Sequence, residues 1–246
     1  MILTRKSFGI SFDFWNTLYG NGDEPERHRL RVEYFHRTIS KFINVNIDTI
    51  EKVFRASTEF FIFEWQHNYR TPSAPERIQY MLNLLSLKLE TKDIEKISRF
   101  FGGLIFDLPP QNISENLTII QQLAENYPIG IVSDTGYISG KYIREFLKNE
   151  GIISCFKSLV FSDEQLYGKP HISVFLKTCK NLNIPCSRLI HIGDLEQTDI
   201  RGAKDAGCIG IRYTGWNNGS SVNSQADQII NNYEDLARII GEIANS

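Results

Sequence analysis

The sequence lacks the features that mark secreted, membrane-spanning or nucleic-acid-binding proteins. Its 246 residues include four cysteines, no two of them spaced as in a zinc knuckle or a redox motif. No apolar run approaches the length of a bilayer span, and the apolar segment near the amino terminus meets Asp13 too early for a signal peptide. We therefore expect a cytoplasmic protein whose cysteines are reduced thiols.

The chain also lacks an excess of charge of either sign. It has 27 Lys and Arg against 29 Asp and Glu, a formal net charge of −2. Such a balance gives no field that would hold a phosphate backbone or an anionic membrane, so we expect neither nucleic acid nor membrane as a partner. Hydrophobic residues make up 41% of the chain, enough for a buried core. The length allows one large domain or one domain with an insertion.

Four amphipathic segments follow one another in the first half of the chain. Apolar residues recur at helical spacing over 24–44 and from about 48, 74 and 93. The second segment opens with Asp48-Thr49-Ile50-Glu51, which has the form of a capping box. Four consecutive helices with no strand between them predict a helical bundle.

Strands and helices alternate after Pro109-Pro110, which ends the helical region. This alternation is typical of a Rossmann-like, doubly wound parallel sheet with helices on both faces. We predict strands at 129–132, 159–161, 189–192, 208–213 and 228–230, and helices around 114–125, 139–149, 171–182, 198–206 and 233–244. The aromatic strand at 7–15 is expected to join this sheet across the helical insertion, and 217–224 to form a polar loop.

Polar residues stand where three of the apolar strands end. They are Asp13 after the first strand, Ser133 and Asp134 after the second, and Asp194 after the third. Ligands of open parallel sheets bind at the carboxyl ends of the strands, so we expect these residues to converge on one crevice. Asp199 begins the next helix and can point back to the same place.

These residue types suit phosphoryl transfer. Three carboxylates together repel one another unless a cation lies between them, and hard oxygen ligands in that number suit Mg²⁺. Lys169, in Gly168-Lys169-Pro170, supplies a second positive charge if its side chain reaches the crevice. An aspartate can then attack phosphorus while the two cations neutralise the transferring oxygens.

In order along the chain, these motifs resemble the four motifs of the haloacid dehalogenase (HAD) superfamily. The resemblance rests on 13–18 (Asp-Phe-Trp-Asn-Thr-Leu), Ser133, Gly168-Lys169-Pro170, and Gly193-Asp194 with Asp199. It covers nearly the whole chain, because the helical insertion resembles the helical cap of that superfamily. It implies an α/β core made of 1–17 and 109–246, with an all-helical cap at 18–108.

The resemblance also implies roles for individual residues. Asp13 would be the nucleophile that becomes an aspartyl-phosphate, and Lys169 would hold the phosphoryl group and the nucleophile. Thr17 and Ser133 would bind the phosphoryl group. Apart from the resemblance, we expect Asp134 at its strand end and Trp15, as packing or a wall of the pocket, to be further substrate-binding residues. The Mg²⁺ ligands would be Asp13, the backbone carbonyl of Trp15, Asp194 and Asp199.

One position departs from the phosphatases of the superfamily. They carry a second Asp two residues after the nucleophile, as general acid and base, where this chain has Trp15. An aromatic residue there is similar to the superfamily's dehalogenases, which attack carbon without a metal. The 193–199 segment instead resembles the Mg²⁺-binding phosphatase form. We favour Mg²⁺-dependent hydrolysis of a small phosphorylated metabolite. The alternatives are metal-independent 2-haloacid dehalogenation and a binding or regulatory protein of low activity.

Three acidic residues are candidates for the missing acid, and one histidine is assigned no role. Asp134, Asp163 and Glu164 are the candidates for a surrogate acid, and no sequence pattern supplies a geometry for any of them. His191 lies inside its strand and is expected to be a core histidine with satisfied hydrogen bonds.

Overall fold

The structure is a computed structural model that describes residues 8–113, 116–216 and 223–245. Some predictions extend beyond those residues. Outside them lie the start of the first predicted strand at Ser7, the first two residues of the helix at 114–125, and most of the polar loop at 217–224.

A six-stranded parallel sheet forms the centre of the fold, in the order β5-β4-β1-β6-β7-β8. The strands of the chain are β1 Gly9–Phe12, β2 Tyr19–Gly20, β3 Gln111–Asn112, β4 Ile129–Ser133, β5 Phe156–Phe161, β6 Leu189–Gly193, β7 Ile209–Tyr213 and β8 Gln228–Ile230. The short β2 and β3 form a separate antiparallel pair. The predicted Rossmann-like α/β class is therefore confirmed, and the first strand does join the sheet.

The first strand occupies the middle of the sheet. Phe12 of β1 lies beside Ile131 of β4 on one side and beside Ile192 of β6 on the other. The chain passes from β1 to β4 and β5 on one side and then crosses from β5 to β6 on the other, which creates a topological switch point at the carboxyl end of β1. All residues of β1, β4 and β6 are buried, because helices cover both faces of a doubly wound sheet.

Five helices accompany the sheet. They are α5 Asn116–Asn126, α6 Gly140–Asn149, α7 Ile172–Leu182, α8 Arg201–Asp205 and α9 Leu236–Asn245. A π-helical turn, Glu196–Ile200, leads into α8, so the helix predicted at 198–206 begins as a wider turn. This turn carries Asp199 back toward the sheet.

Four helices form a second hydrophobic centre. They are α1 Glu24–Ile39, α2 Ile47–Asn68, α3 Ala74–Leu84 and α4 Thr91–Asp107. Their buried faces meet around Phe35, Phe54, Ile78 and Phe101. The boundaries of the core and the cap at 1–17, 18–108 and 109–246 stay a prediction.

The capping box predicted at 48–51 is wrong. The helix begins earlier, at Ile47, and the side chain of Asn46 accepts the N–H of Thr49 at 2.9 Å. Asparagine is as good an N-cap as aspartate, so the helix starts at the first of the two polar residues. A capping box does form in α3, between Ser73 and Glu76.

Two cysteines are paired, contrary to the expectation of four reduced thiols. Cys179 and Cys186 are joined by a disulfide, with Cα atoms 5.5 Å apart. The chain reverses at Asn183, which has a left-handed backbone conformation and ends α7, and this turn brings the two cysteines together. Cys155 and Cys208 are free, and burial raises the pKa of Cys208 to about 12.

Among the described residues, no helix is long and apolar enough to cross a membrane.

Candidate active site

The residues predicted at the strand ends do meet at one cavity. This cavity has a volume of about 460 Å³ and lies between the carboxyl ends of the strands and the helices α1–α3. Of the predicted site residues, five line it: Asp13, Trp15, Asp134, Lys169 and Asp194. The remaining three, Thr17, Ser133 and Asp199, are buried nearby in the same motifs.

The ammonium group of Lys169 joins two of the carboxylates. Its Nζ lies 2.8 Å from Oδ1 of Asp13 and 2.5 Å from Oδ1 of Asp199. The lysine side chain is 3% exposed, so little water screens these ion pairs. Lys169 therefore holds one carboxylate oxygen of Asp13 in a defined place.

Asp199 lies at the centre of a buried network. Its Oδ1 contacts Nε2 of His191 at 3.0 Å, and Nδ1 of His191 lies 2.9 Å from Oγ of Ser11 on β1. Its Oδ2 accepts the N–H of Leu195 at 3.1 Å. A Cβ on Gly193 would overlap the Asp199 carboxylate, which explains why glycine ends β6.

The pKa values follow from burial and from these ion pairs. Burial raises the pKa of Asp13, and the charge of Lys169 offsets only part of this effect. Burial also acts to raise the pKa of Asp199, but Lys169 and His191 outweigh it and hold that pKa below its ordinary value. Burial alone would lower the pKa of Lys169, yet the surrounding aspartates raise it. The lysine therefore stays protonated beside Asp13.

The arrangement of carboxylates fits a divalent cation. Oxygen atoms of Asp13, Asp194 and Asp199 lie within 4.8 Å of one another, and ligands on opposite sides of Mg²⁺ are about 4 Å apart. At this end of the cavity the structure describes four carboxylates, including Asp134, and one lysine ammonium. A cation there would offset the excess negative charge.

Asp134 fixes the backbone that carries Lys169. Its Oδ1 accepts the N–H of Lys169 at 2.9 Å, and its Oδ2 accepts the indole N–H of Trp65, from α2, at 2.8 Å. A Cβ on Gly168 would overlap Oδ1 of Asp134, so this close approach requires glycine. Burial raises the pKa of Asp134 to about 6.

The other two candidate acids are bonded elsewhere. Oδ1 of Asp163 accepts bonds from the hydroxyl of Thr135 at 2.8 Å and from the N–H of Gly140 at 3.0 Å. Glu164 pairs with Arg144. Of the three surrogates, Asp134 alone is among the residues that line the cavity.

The remaining predicted residues lie around Asp13. Ser133 is 2% exposed, its hydroxyl donates to the carbonyl of Asp134 at 3.4 Å, and its proximity acts to lower the pKa of Asp13. Thr17 is fully buried, and its carbonyl accepts the hydroxyl of Tyr233 at 2.8 Å. The indole of Trp15 packs edge-on against Phe14 and forms part of the cavity wall.

A sequence profile described as haloacid dehalogenase-like hydrolase matches residues 33–212. The chain belongs to this family. A curated relative from Methanocaldococcus jannaschii, named glyceraldehyde 3-phosphate phosphatase, is 26% identical over 126 residues, which are 50% of this chain and 53% of the relative. The chain thus spans about half the length of the curated relatives it matches.

Two solved structures of the family share the fold over almost the whole chain. A HAD phosphatase from Thermococcus onnurineus has a TM-score of 0.68 and 21% identity, covering 95% of this chain and 98% of that one. A 2-haloacid dehalogenase from Pseudomonas syringae pv. Tomato DC3000 has a TM-score of 0.71 and 16% identity, with the same coverage. Because one is a phosphatase and the other a dehalogenase, the fold does not separate the two reactions.

Four residues of this hydrolase site were missed by sequence reasoning. His191 bonds Asp199, Trp65 bonds Asp134, and Arg31 and Arg77 line the cavity from α1 and α3. The sequence did indicate the two arginines, because each occupies a position on the buried, apolar face of its amphipathic helix. No local pattern indicated that Trp65 would reach Asp134.

Proposed function

We propose that this protein hydrolyses a small phosphate monoester through an aspartyl-phosphate on Asp13. The observation that carries the proposal is the buried contact of 2.8 Å between Asp13 and Lys169, beside two further aspartates whose oxygens lie within 4.8 Å. Curated relatives over half the chain are named phosphatases of a phosphorylated small molecule, which supports the same reaction class.

The residues of this chain divide the reaction into two steps. A carboxylate oxygen of Asp13 attacks phosphorus, the bond to the ester oxygen breaks, and that oxygen leaves as an alkoxide or phenolate that takes its proton from water. Water then attacks the phosphorus of the acyl phosphate, which releases inorganic phosphate and restores the Asp13 carboxylate. Lys169 neutralises charge on the transferring oxygens in both steps. Ser133 and Thr17 are proposed to contact the phosphoryl group, with Asp134 positioning Lys169.

We propose Mg²⁺ as the cofactor. Asp13, Asp194, Asp199 and the backbone carbonyl of Trp15 would hold it, and it would supply positive charge at the phosphoryl oxygens. The support is the excess of carboxylates over ammonium groups in this part of the structure, which a metal-free site would leave uncompensated.

Because Trp15 stands where the phosphatases carry a general acid, we expect the rate to depend on the leaving group. The indole of Trp15 cannot protonate a departing alkoxide, and a missing general acid costs typically about 10²–10⁴-fold in rate. Esters whose leaving group needs no proton, such as aryl or acyl phosphates, would therefore react fastest.

A cytoplasmic location also stays a prediction.

Two alternatives predict different products. A metal-independent dehalogenase would release chloride from a 2-chloro acid in the presence of a chelator. A binding or regulatory protein would release neither chloride nor phosphate at a significant rate. The carboxylate cluster favours the phosphatase, since attack on carbon needs one aspartate and no cation.

The test is phosphate release from 4-nitrophenyl phosphate with Mg²⁺, alongside chloride release from 2-chloropropionate with chelator. Asp13→Asn should abolish phosphate release, whereas the control Asp205→Asn, at an exposed position on α8, should not change it. Equal rates for wild type and Asp13→Asn would refute the proposal. Chloride release in chelator would instead support the dehalogenase.

A further inference from the structure

Two buried arginines line the cap side of the cavity. Arg31 of α1 and Arg77 of α3, here called the cap arginines, are 2% and 6% exposed, and they line the same cavity as Asp13 and Lys169. Neither has a place in the proposed phosphoryl transfer. Arginines are rarely buried to this degree unless an anion or an aromatic ring compensates them.

One aromatic ring holds both guanidinium groups. The Cζ of Arg77 lies 3.7 Å from the ring centre of Tyr137, and the Cζ of Arg31 lies 5.1 Å from it. The Tyr137 hydroxyl lies 3.2 Å from Oγ of Ser57 on α2, which fixes the ring. Tyr137 follows the strand end that carries Asp134, so the core helps to position the cap arginines.

The positive charge of Arg77 has no carboxylate partner. Its guanidinium donates to two neutral hydroxyls, those of Ser57 at 3.2 Å and Thr58 at 3.3 Å. Among the described residues, no carboxylate lies within 4.0 Å of it. Burial is the main cause that lowers the pKa of Arg77, and the like charge of Arg31 adds to it, whereas Tyr137 and Glu24 offset part of the effect.

Arg31 is only partly neutralised. Its Nη1 lies 2.6 Å from Glu24, but the same carboxylate also pairs with Arg27 at 3.0 Å. Nε of Arg31 is buried without a hydrogen-bond partner. Arg27 is fully buried and also bonds Asn21 and the carbonyl of Leu108. Arg27 and Arg31 therefore share one glutamate at this end of the cavity, and Arg77 pairs with no carboxylate among the described residues.

The two ends of the cavity are electrostatically distinct. The pKa of Asp13 is influenced by the charges of Lys169 and Asp199. The pKa of Arg77 is influenced instead by Tyr137, Arg31 and Glu24. The Asp13 end is rich in carboxylates and the cap end is rich in guanidinium groups. A phosphoryl group placed for attack by Asp13 would therefore leave the cap arginines for another part of the substrate.

We propose that the cap arginines bind a second anionic group, a carboxylate or a second phosphate, carried by the leaving group of the substrate. This inference rests on the proposed phosphatase function and names its substrate class. Guanidinium groups match carboxylate and phosphate oxygens in a bidentate geometry, and the cavity is large enough for a small bis-anion. Specificity would then come from the cap, and chemistry from the core.

The test compares esters that differ in charge at the far end. Glycerol 3-phosphate has a neutral hydroxymethyl group at the carbon opposite its phosphate. In 3-phosphoglycerate that carbon is a carboxylate, and in propane-1,3-diol bisphosphate it carries a second phosphate. Their binding is measured by calorimetry on Asp13→Asn protein, so that no turnover is needed. We expect at least one of the two bis-anions to bind about 10- to 100-fold more tightly than glycerol 3-phosphate. Which one binds tighter distinguishes a carboxylate from a phosphate.

Variants of the cap arginines test their part in this preference. In the same Asp13→Asn background, Arg31→Met or Arg77→Met should reduce the preference for the bis-anion to about threefold or less. The matched control is Arg29→Met, because Arg29 lies on the same helix with its side chain 53% exposed; the preference should not change. Arg77→Lys keeps the positive charge but lacks the planar guanidinium group, and it replaces Arg77→Met in the test if that variant does not fold. It should give an intermediate preference.

Two results would overturn the inference. One is equal binding of neutral and bis-anionic esters by the parent protein. The other is an equal loss of affinity for all three esters in the arginine variants, which would place the arginines on the transferred phosphoryl group. Phosphate release by wild type without any preference for bis-anions would contradict this inference alone. A preference in binding with no phosphate release from any ester would contradict the proposed function alone.

Discussion

Nζ of Lys169 lies 2.8 Å from Oδ1 of Asp13, inside a site where both side chains are almost completely buried. The same ammonium contacts Asp199 at 2.5 Å. One cation thus serves two carboxylates, one directly after β1 and one in the π-helical turn that follows β6. Removing it would leave two buried negative charges facing each other, which is far more costly than losing a surface ion pair.

Replacement of Lys169 tests this dependence. We expect Lys169→Met to lower kcat for 4-nitrophenyl phosphate by about 10²-fold or more, because a preorganised donor to the transferring oxygens is lost. The control is Lys177→Met, an exposed lysine on α7, which should retain the wild-type rate. A Lys169→Met enzyme with the rate of wild type would show that Lys169 does not act on the reacting group.

Trp15 tests the role of the leaving group. We expect Trp15→Asp to raise kcat for an alkyl phosphate by about 10²-fold or more, since it places a general acid where the indole now lines the cavity. The gain for an aryl phosphate should be much smaller, because a phenolate leaves without a proton. Trp15→Phe is the control for lost packing. If Trp15→Asp changed both esters by the same factor, acid catalysis would not be the limiting factor.

Metal binding has a readout that does not depend on activity. A ligand that binds only the folded state, at about 100 times its Kd, stabilises a protein by about 2.7 kcal/mol. We expect MgCl₂ to raise the midpoint of thermal unfolding of wild type, and chelator to reverse the rise. Asp194→Asn should remove the effect, and Asp205→Asn should keep it. A midpoint that responds equally in all three proteins would place the metal elsewhere.

The carboxyl of Asp134 predicts a pH dependence of stability. Its pKa is about 6 in the folded protein against 3.8 ordinarily, with burial as the main cause. The folded state therefore binds more protons than the unfolded state between these values. The contribution of this group to stability is complete below pH of about 4 and is lost as the pH rises through about 6.

We expect the free energy of unfolding of wild type, relative to Asp134→Asn, to fall by roughly 2 kcal/mol from pH of about 4 to about 7. Denaturant unfolding of both proteins across this range measures the difference. The comparison uses how the free energy of unfolding of each protein changes with pH, so a lower overall stability of Asp134→Asn does not affect it. A difference that is constant over this range would show that Asp134 titrates as an ordinary aspartate.

The core of the site was predictable because each key residue follows an apolar strand. Asp13, Asp134 and Asp194 end three strands, and a parallel sheet brings such ends together whatever the loops do. The start of α2 was less certain, because Asn46 and Asp48 are both good helix caps. The apolar pattern that follows is compatible with either start.

Contacts between distant segments were not predictable. Trp65 reaches Asp134, and Arg77 stacks on Tyr137, yet periodicity places each residue only on a face of its own helix. The contacts depend on how α1–α4 pack over the sheet, which no local pattern encodes. His191 was correctly expected to have its hydrogen bonds satisfied, but its partner Asp199 joins it to the site.

In the proposed reaction, Asp13 becomes phosphorylated in each turnover. The most direct test is to mix the enzyme with an aryl phosphate and Mg²⁺, quench with acid, and locate any added phosphoryl group by mass spectrometry of the peptides. We predict one phosphoryl group, on Asp13, that is absent from Asp13→Asn. Phosphate release with the phosphoryl group on another residue, or undiminished release by Asp13→Asn, would contradict an aspartyl-phosphate on Asp13.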